Sequence, residues 1–436
     1  MLVRVIGGGL AGCEAAWQLA KKGISVQLWE MRPDQQTPAH ETEKLGELVC
    51  SNSLKSSSLT NACGLLKEEM RRLGSLVIEA ADLTAIPAGS ALAVDRNRFA
   101  DHITKRIYEE EKIEVIRKEY CPDRLEEHTI IATGPLTSSA LYCVLERELG
   151  SGFLSFFDAS APIVAADSID RSKCFCASRY DAGGEDYINC PMTKEEYTAF
   201  VEALVTAETA HVHGFEKDMV FEGCMPVEVL AGRGPDTLRF GPLKAAGLRD
   251  DNGVRPYAVV QLRAENAEKT MYNLVGFQTH LTFGEQKRVY SMIPALANAE
   301  FFRYGVMHRN TYVNAPKLLD ATFALRNDPT VYIAGQLSGV EGYVESAASG
   351  MMAGLFAGQR LLKGCCTPFP KETMCGALAA YISNPGVVNF QPMNANFGII
   401  PGLDGKFKKQ QRYEQYALRS LANLEQYQKT ELSEKR

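Results

Sequence analysis

Residues 2–30 read LVRVIGGGLAGCEAAWQLAKKGISVQLWE, and the order of apolar and glycine positions in this stretch decides the fold. Residues 2–6 predict a short buried strand. Gly7-Gly8-Gly9-Leu10-Ala11-Gly12 follows as a G-x-G-x-x-G turn, and Cys13 to Lys22 predicts a helix with Ala15, Ala16, Leu19 and Ala20 on its inner face. Gly23 ends that helix, and Ile24 to Trp29 alternates into a second strand that closes on Glu30. A lone glycine motif says little. Here it follows a strand, opens a helix and lies about eighteen residues before an acidic strand end, the full setting of a dinucleotide-binding βαβ unit. Gly7 permits the tight turn, Gly9 lets a pyrophosphate approach the backbone, and Gly12 lets helix pack on sheet. With Gly8, Leu10 and Ala11 they form a loop whose helix-terminal N–H groups suit phosphates, while Glu30 is placed to accept hydrogen bonds from a ribose.

NAD and FAD share this fingerprint, so a second signal has to choose. Ile131-Ala132-Thr133-Gly134 resembles the A-T-G turn found midway through glutathione-reductase-like flavoproteins. Tyr332-Ile333-Ala334-Gly335-Gln336 resembles their late strand ending in A-G-D, with Gln for Asp. Gly134, Gly335 and Gln336 therefore join the cofactor set, and FAD is the expected dinucleotide. The expected fold class is α/β: a glutathione-reductase-like, Rossmann-type FAD-binding domain with an inserted α+β domain. Residues 1–175 and 330–436 are assigned to the discontinuous FAD-binding domain. Residues 176–329 are the insertion, because Gly and Pro recur there and strand-like runs appear at Tyr257–Leu262 and Met271–Phe277. Arg32 to Asn61, polar and rich in Ser, Thr and Asn, predicts a long loop with little repetitive structure. A small-residue helix is expected over Ala347–Leu362.

Composition bounds the rest. A length of 436 residues exceeds one small core, and 45% hydrophobic with 23% charged residues is ordinary for a globular protein. No run approaches the ~20 uninterrupted apolar residues of a membrane span. The N-terminus passes straight into the glycine motif without an export signal, so a cytoplasmic location with no membrane partner is expected. The net charge of −6 argues against non-specific coating of nucleic acid but leaves room for local basic patches. The twelve cysteines include no C-x-x-C pair, only Cys174-x-Cys176 and the adjacent Cys365 and Cys366. Free thiols in a reducing compartment and no metal site are expected.

Two cysteines stand apart by setting. Cys50 lies in ELVCSNSLK, residues 47–55, on the polar loop beside the nucleotide unit; Cys224 lies in FEGCMPVE, residues 221–228, where Gly and Pro hold it on a turn. From the residues alone each is either an ordinary free thiol or an accessible one that nearby cations activate.

Longer segments carry a resemblance. VIGGGLAGCEAAWQLAKKG (5–23), ELVCSNSLKS (47–56), VDRNRFA (94–100), FEGCMPVEVLA (221–231) and RGPDTLRFGPLK (233–244) are similar to the folate- and FAD-dependent tRNA (uracil-5-)-methyltransferases, the TrmFO family. NLVGFQTHLTFGEQKRV (273–289), RYGVMHRNTY (303–312) and VYIAGQLSGVEGYVESAASG (331–350) extend the likeness over nearly the whole sequence. The resemblance implies C5-methylation of a uridine in the tRNA T-loop, position 54 in standard tRNA numbering, giving 5-methyluridine. Methylenetetrahydrofolate is then the carbon donor, reduced FAD the electron source, and NADH or NADPH the reductant that restores it. The chemistry fits those residue types. Uracil C5 is a poor nucleophile until a thiolate adds at C6, which needs a cysteine, and the C5 proton must then leave to a general base. By resemblance Cys50 maps onto the loop nucleophile and Cys224 onto the second catalytic thiol, with the two roles exchangeable.

Further residues carry weaker readings. Tyr343 stacks on or hydrogen-bonds to the reaction centre, or is a packed aromatic at a helix start. His280 stacks on the folate ring or is a solvated loop histidine. Arg309, in His308-Arg309-Asn310, touches phosphate or the folate tail. His211-x-His213 reads as a surface pair. Lys406, Lys408, Lys409 and Arg412 form a solvated face or an RNA contact. Two rival functions stand beside the leading one: the same chemistry on an rRNA uridine, and an NAD(P)H-dependent flavin oxidoreductase acting on a small molecule, which needs neither loop thiol. A non-catalytic flavin-bound RNA-binding protein is disfavoured by the same thiols.

Overall fold

The computed structural model of the protein describes residues 1–37, 39–150, 153–159, 161–179, 186–210, 225–305, 307–387, 390–405 and 407–432. Its first sheet has five parallel strands in the spatial order Val331–Ile333, Thr129–Ile131, Leu2–Ile6, Ser25–Glu30, Ile113–Arg117. Val3, Val5, Ile130, Ile131, Val331 and Ile333 are buried, as expected of parallel strands covered on both faces. From Leu2–Ile6 the backbone crosses to Ser25–Glu30 on one side and later lays Thr129–Ile131 on the other. The switch point of the sheet therefore falls at the carboxyl end of Leu2–Ile6, where Gly7–Gly9 stand.

Two helices meet above that point. The first spans Leu10–Ala20, starting three residues earlier than the periodicity suggests, because Cys13 N–H already bonds Gly9 O at 3.0 Å. The other spans Tyr343–Lys363, beginning ahead of the expected Ala347 and bringing Tyr343 into its first turn. Their contact is close because it is built from small residues. A Cβ on Gly350 would lie 2.1 Å from Ala11 O, and one on Gly354 would lie 2.6 Å from Ala15 O. Only hydrogen fits there, so the late helix seats its N-terminus beside the glycine turn. Buried carboxylates hold the neighbouring helices. Glu14 accepts Val77 N–H at 3.0 Å at the start of Leu76–Leu83, and Glu69 accepts Met374 N–H at 2.7 Å at the start of Met374–Ile382.

The second sheet has six strands in the order Phe175–Cys176, Tyr187–Met192, Ala258–Ala264, Met271–Leu274, Ile163–Ala165, Phe301–Arg303. Its core draws on residues from Ala161 to Ala299 with Ile86, Ala88 and Ala93, while the first core resumes at Tyr312. The boundaries expected at 175/176 and 329/330 therefore sit later than the change of core. The polar stretch from Arg32 to Asn61 is not all loop: Ser53–Ser56 is a strand paired with Ala91–Val94. Among the described residues no helix is long and apolar enough to cross a membrane.

Candidate active site

A cleft of about 1300 Å³, counted out to its mouth, runs along the carboxyl ends of the first sheet. Gly7 to Ala11, Glu30, Gly134, Gly335, Gln336, Cys50 and Tyr343 all line it. Gly7 has φ +106°, and a Cβ there would lie 2.6 Å from Ala132 O; one on Gly12 would lie 1.8 Å from Gly7 O. Gly9 is the contrast. A Cβ there would meet nothing within 4 Å, so this position opens onto the cleft. No side chain caps either the Leu10–Ala20 or the Tyr343–Lys363 helix, which leaves their first N–H groups for a ligand. These residues fit a dinucleotide such as FAD. Gly8 to Ala11 would hold the pyrophosphate, and Gly335, Gln336 and Gly134 would border the rest.

Glu30 is held more tightly than the motif alone implies. Its carboxylate accepts Gly8 N–H at 2.9 Å, Arg32 N–H at 3.0 Å and the Arg32 guanidinium at 3.0 and 3.1 Å. Burial would raise this carboxyl, but the hydrogen bonds and charge of Arg32 hold it below the usual range, so it faces the cleft ionised. Arg32 is itself buried and continues to Glu47 at 3.0 Å, tying the strand end to the loop that bears Cys50.

At the other end of the cleft, Cys50 and Tyr343 touch. The Tyr343 hydroxyl accepts Cys50 N–H at 2.7 Å and Ser51 N–H at 3.1 Å, and the Cys50 Sγ lies 2.9 Å away. Two N–H groups thus converge on that oxygen, and the sulfur and hydroxyl share a third hydrogen bond in which either can donate. Burial, and then the neighbouring Cys50, push the phenol up, so it stays protonated. Arg96 donates to Leu48 O at 2.6 Å and pairs with Glu265 at 2.7 Å. Arg263 donates to Asn52 Oδ1 and Ser51 Oγ, both at 2.9 Å, and Asn52 donates to Ala264 O at 2.8 Å. Lys55 reaches Glu345, in the first turn of the Tyr343 helix, at 3.0 Å. The thiol loop is thus clamped from three sides.

His280 is buried, with its ring on the Glu228 carboxylate and its N–H bonded to Glu228 Oε1 at 2.9 Å, and it does not line the cleft. Neither a solvated histidine nor a cleft residue describes it. Arg309 lies on the strand Met307–Val313, paired with Phe153–Ala159. Cys224, His211, His213 and Lys406 lie outside the described residues. Reasoning from sequence missed Arg32, His40, Arg96 and Arg263. Two of these left a signal: Arg96 stands inside VDRNRFA, and Arg263 is the one charge within the buried strand Ala258–Ala264. Among the described residues no group of three or more His, Cys, Asp or Glu side chains could hold a metal ion.

A parallel sheet with a glycine cradle at its switch point, and a cleft from that cradle to a thiol, define the class: a Rossmann-type FAD-binding fold. Two crystal structures of Aquifex aeolicus GidA share it, with TM-scores of 0.71 and 0.72 at 17% and 18% identity, covering 73% and 75% of their length and 97% of this protein's. The family model described as "Glucose inhibited division protein A" (GIDA) matches residues 2–364. A methylenetetrahydrofolate–tRNA-(uracil-5-)-methyltransferase TrmFO from Acetivibrio thermocellus is 57% identical over 98% of both sequences. That of Lactobacillus acidophilus is 54% identical over 99% of both. That of Exiguobacterium sibiricum is 56% identical, over 98% of its own length and 97% of this protein's. The chain belongs to the TrmFO family, within the wider GidA group.

Proposed function

We propose that this protein methylates C5 of a tRNA uridine, at position 54 of the T-loop, with methylenetetrahydrofolate as carbon donor and NADH or NADPH as the ultimate reductant, in the cytoplasm. The observation that supports the reading best is Cys50, a thiol on the cleft wall held 2.9 Å from the Tyr343 hydroxyl. Its sulfur adds to uracil C6, the C5=C6 π bond opens, and C5 becomes the carbon nucleophile that takes the folate methylene. The Tyr343 hydroxyl steadies the sulfur before attack and again when it departs. The C5 proton passes to a base, the part that family resemblance gives to Cys224, and the methylene's bond to the folate nitrogen breaks, so that tetrahydrofolate leaves. FAD, when bound reduced in the cleft, would supply the hydride that adds to the resulting exocyclic methylene as the Cys50 sulfur leaves C6. Hydride transfer to a small molecule would require no clamped thiol on the cleft wall, which weighs against the oxidoreductase reading.

The test is incubation of the protein with an unmodified tRNA transcript, methylenetetrahydrofolate and NADPH, followed by nucleoside analysis. 5-Methyluridine confined to the T-loop is expected. Product in an rRNA transcript alone would move the substrate, and NADPH oxidation without methylated RNA would return the oxidoreductase.

A further inference from the structure

Away from the cleft, on the edge of the second sheet, two thiols face each other. Cys174 precedes the edge strand Phe175–Cys176, and Cys190 lies within Tyr187–Met192. The register pairs Phe175 with Asn189 and Cys176 with Ile188, so Cys174 falls directly opposite Cys190. Ala177 N–H bonds Tyr187 O at 3.1 Å, which makes that pair hydrogen-bonded. Alternation along an antiparallel ladder then puts Cys174 and Cys190 in the non-hydrogen-bonded class, where facing Cα atoms stand about 4.5 Å apart. That spacing lies at the near end of the range a disulfide spans. The two sulfurs are already 3.8 Å apart.

The two thiols differ in the way an attacking and a resolving cysteine differ. Cys174 is partly exposed on the wall of an open cleft beside Pro191, Thr193, Asp250 and Tyr257, whereas Cys190 is fully buried beneath it. The hydrogen bond with Cys190, and more weakly the Arg171 charge, hold the Cys174 thiol below its ordinary value. The same contact and burial push Cys190 up. The more readily ionised thiol of the two is thus the one that a reagent reaches.

We propose that Cys174 and Cys190 form a redox-active dithiol that small-molecule disulfides of the glutathione type convert to a cross-strand disulfide. The Cys174 thiolate attacks one sulfur of the reagent, its S–S bond breaks, and the first thiolate leaves. Cys190 loses its proton and attacks the Cys174 sulfur, expelling the second thiolate. Both departing thiolates take up protons. The protein loses two electrons, and the reagent becomes two thiols.

The experiment treats the full-length protein with oxidised glutathione, blocks remaining thiols, digests without reductant and maps the peptides by mass spectrometry. A peptide pair joined through Cys174 and Cys190, and released by dithiothreitol, is expected. Cys190→Ser should trap a glutathione adduct on Cys174, and Cys174→Ser should leave Cys190 unmodified. Adducts or cross-links confined to the exposed Cys121, Cys143, Cys176 and Cys365, with Cys174 and Cys190 still free thiols, would overturn the proposal. The wild-type digest decides this even if a variant fails to fold.

Discussion

A hydroxyl has room for about three hydrogen bonds, and that of Tyr343 meets three partners: Cys50 N–H, Ser51 N–H and the Cys50 sulfur. Tyr343→Phe deletes all three contacts with little change in volume. It should leave the fold intact and slow alkylation of Cys50 by iodoacetamide at neutral pH about ten- to a hundredfold, the scale of a lost hydrogen bond to a charged group. An unchanged alkylation rate would mean that the hydroxyl does not set the state of the thiol. His40, on the same cleft, makes a pH prediction. Burial, and then the Arg32 charge, bring it down to about 4 from its ordinary 6.5. Between those values the unfolded protein binds the proton and the folded protein does not, so stability falls as pH drops through this window. His40→Gln has no proton to bind. Its urea midpoint should fall less than that of the wild type between pH 7 and pH 5.

Glycines that look alike in the sequence serve different ends in their elements. Gly9 opens onto the cleft, whereas Gly350 presses against Ala11 O. Gly9→Val should therefore purify folded but colourless, with its denaturation midpoint near wild type and the flavin-to-protein absorbance ratio near zero. Gly350→Ala should do the reverse in kind, wedging two helices apart at a cost of about 1–3 kcal/mol, read as a lower denaturant midpoint. A yellow Gly9→Val protein would remove the basis for placing FAD in this cradle. The strand–turn–helix–strand at the N-terminus is legible in the sequence because its signals, alternation and glycine spacing, are local. The strand Ser53–Ser56 is not, since its polar residues acquire a ladder only from the distant Ala91–Val94. The start of the late helix is also hidden. Gly342, at φ +114°, sets it without a capping side chain, so no Ser, Thr or Asp marks Tyr343 as first-turn. Cys50 and Tyr343 each stand out on their own, but nothing in one dimension says that they touch.

In the whole molecule, the thiol loop is where the two cores meet. Tyr343 reaches it from the late helix of the first core, Arg96 from the helix Arg96–Glu109, and Arg263 from the strand Ala258–Ala264 of the second sheet. The two arginines are anchored across that junction: Arg96 on Glu265, and Arg263 on Asn52, whose amide returns to Ala264 O. The position of Cys50 over the cleft therefore depends on the second domain as well as on the fold that carries it. Arg263→Ala would strip donors from Ser51 Oγ and from the buried Asn52 Oδ1, and a displacement of about 1 Å at a reacting group can cost 10²-fold in rate. We expect this variant to retain flavin, because Arg263 does not line the cleft, and to lose methylation by about that factor. Combined with Tyr343→Phe, the loss should be less than the product of the two single losses, since both side chains hold one loop and the second removal acts on a loop already released. Covalent trapping of Cys50 by 5-fluorouridine-substituted tRNA, measured across the four proteins of this cycle, reads the coupling directly. Strict multiplicativity would mean that Arg263 and Tyr343 act on the thiol independently, and that the second domain merely sits beside the active site.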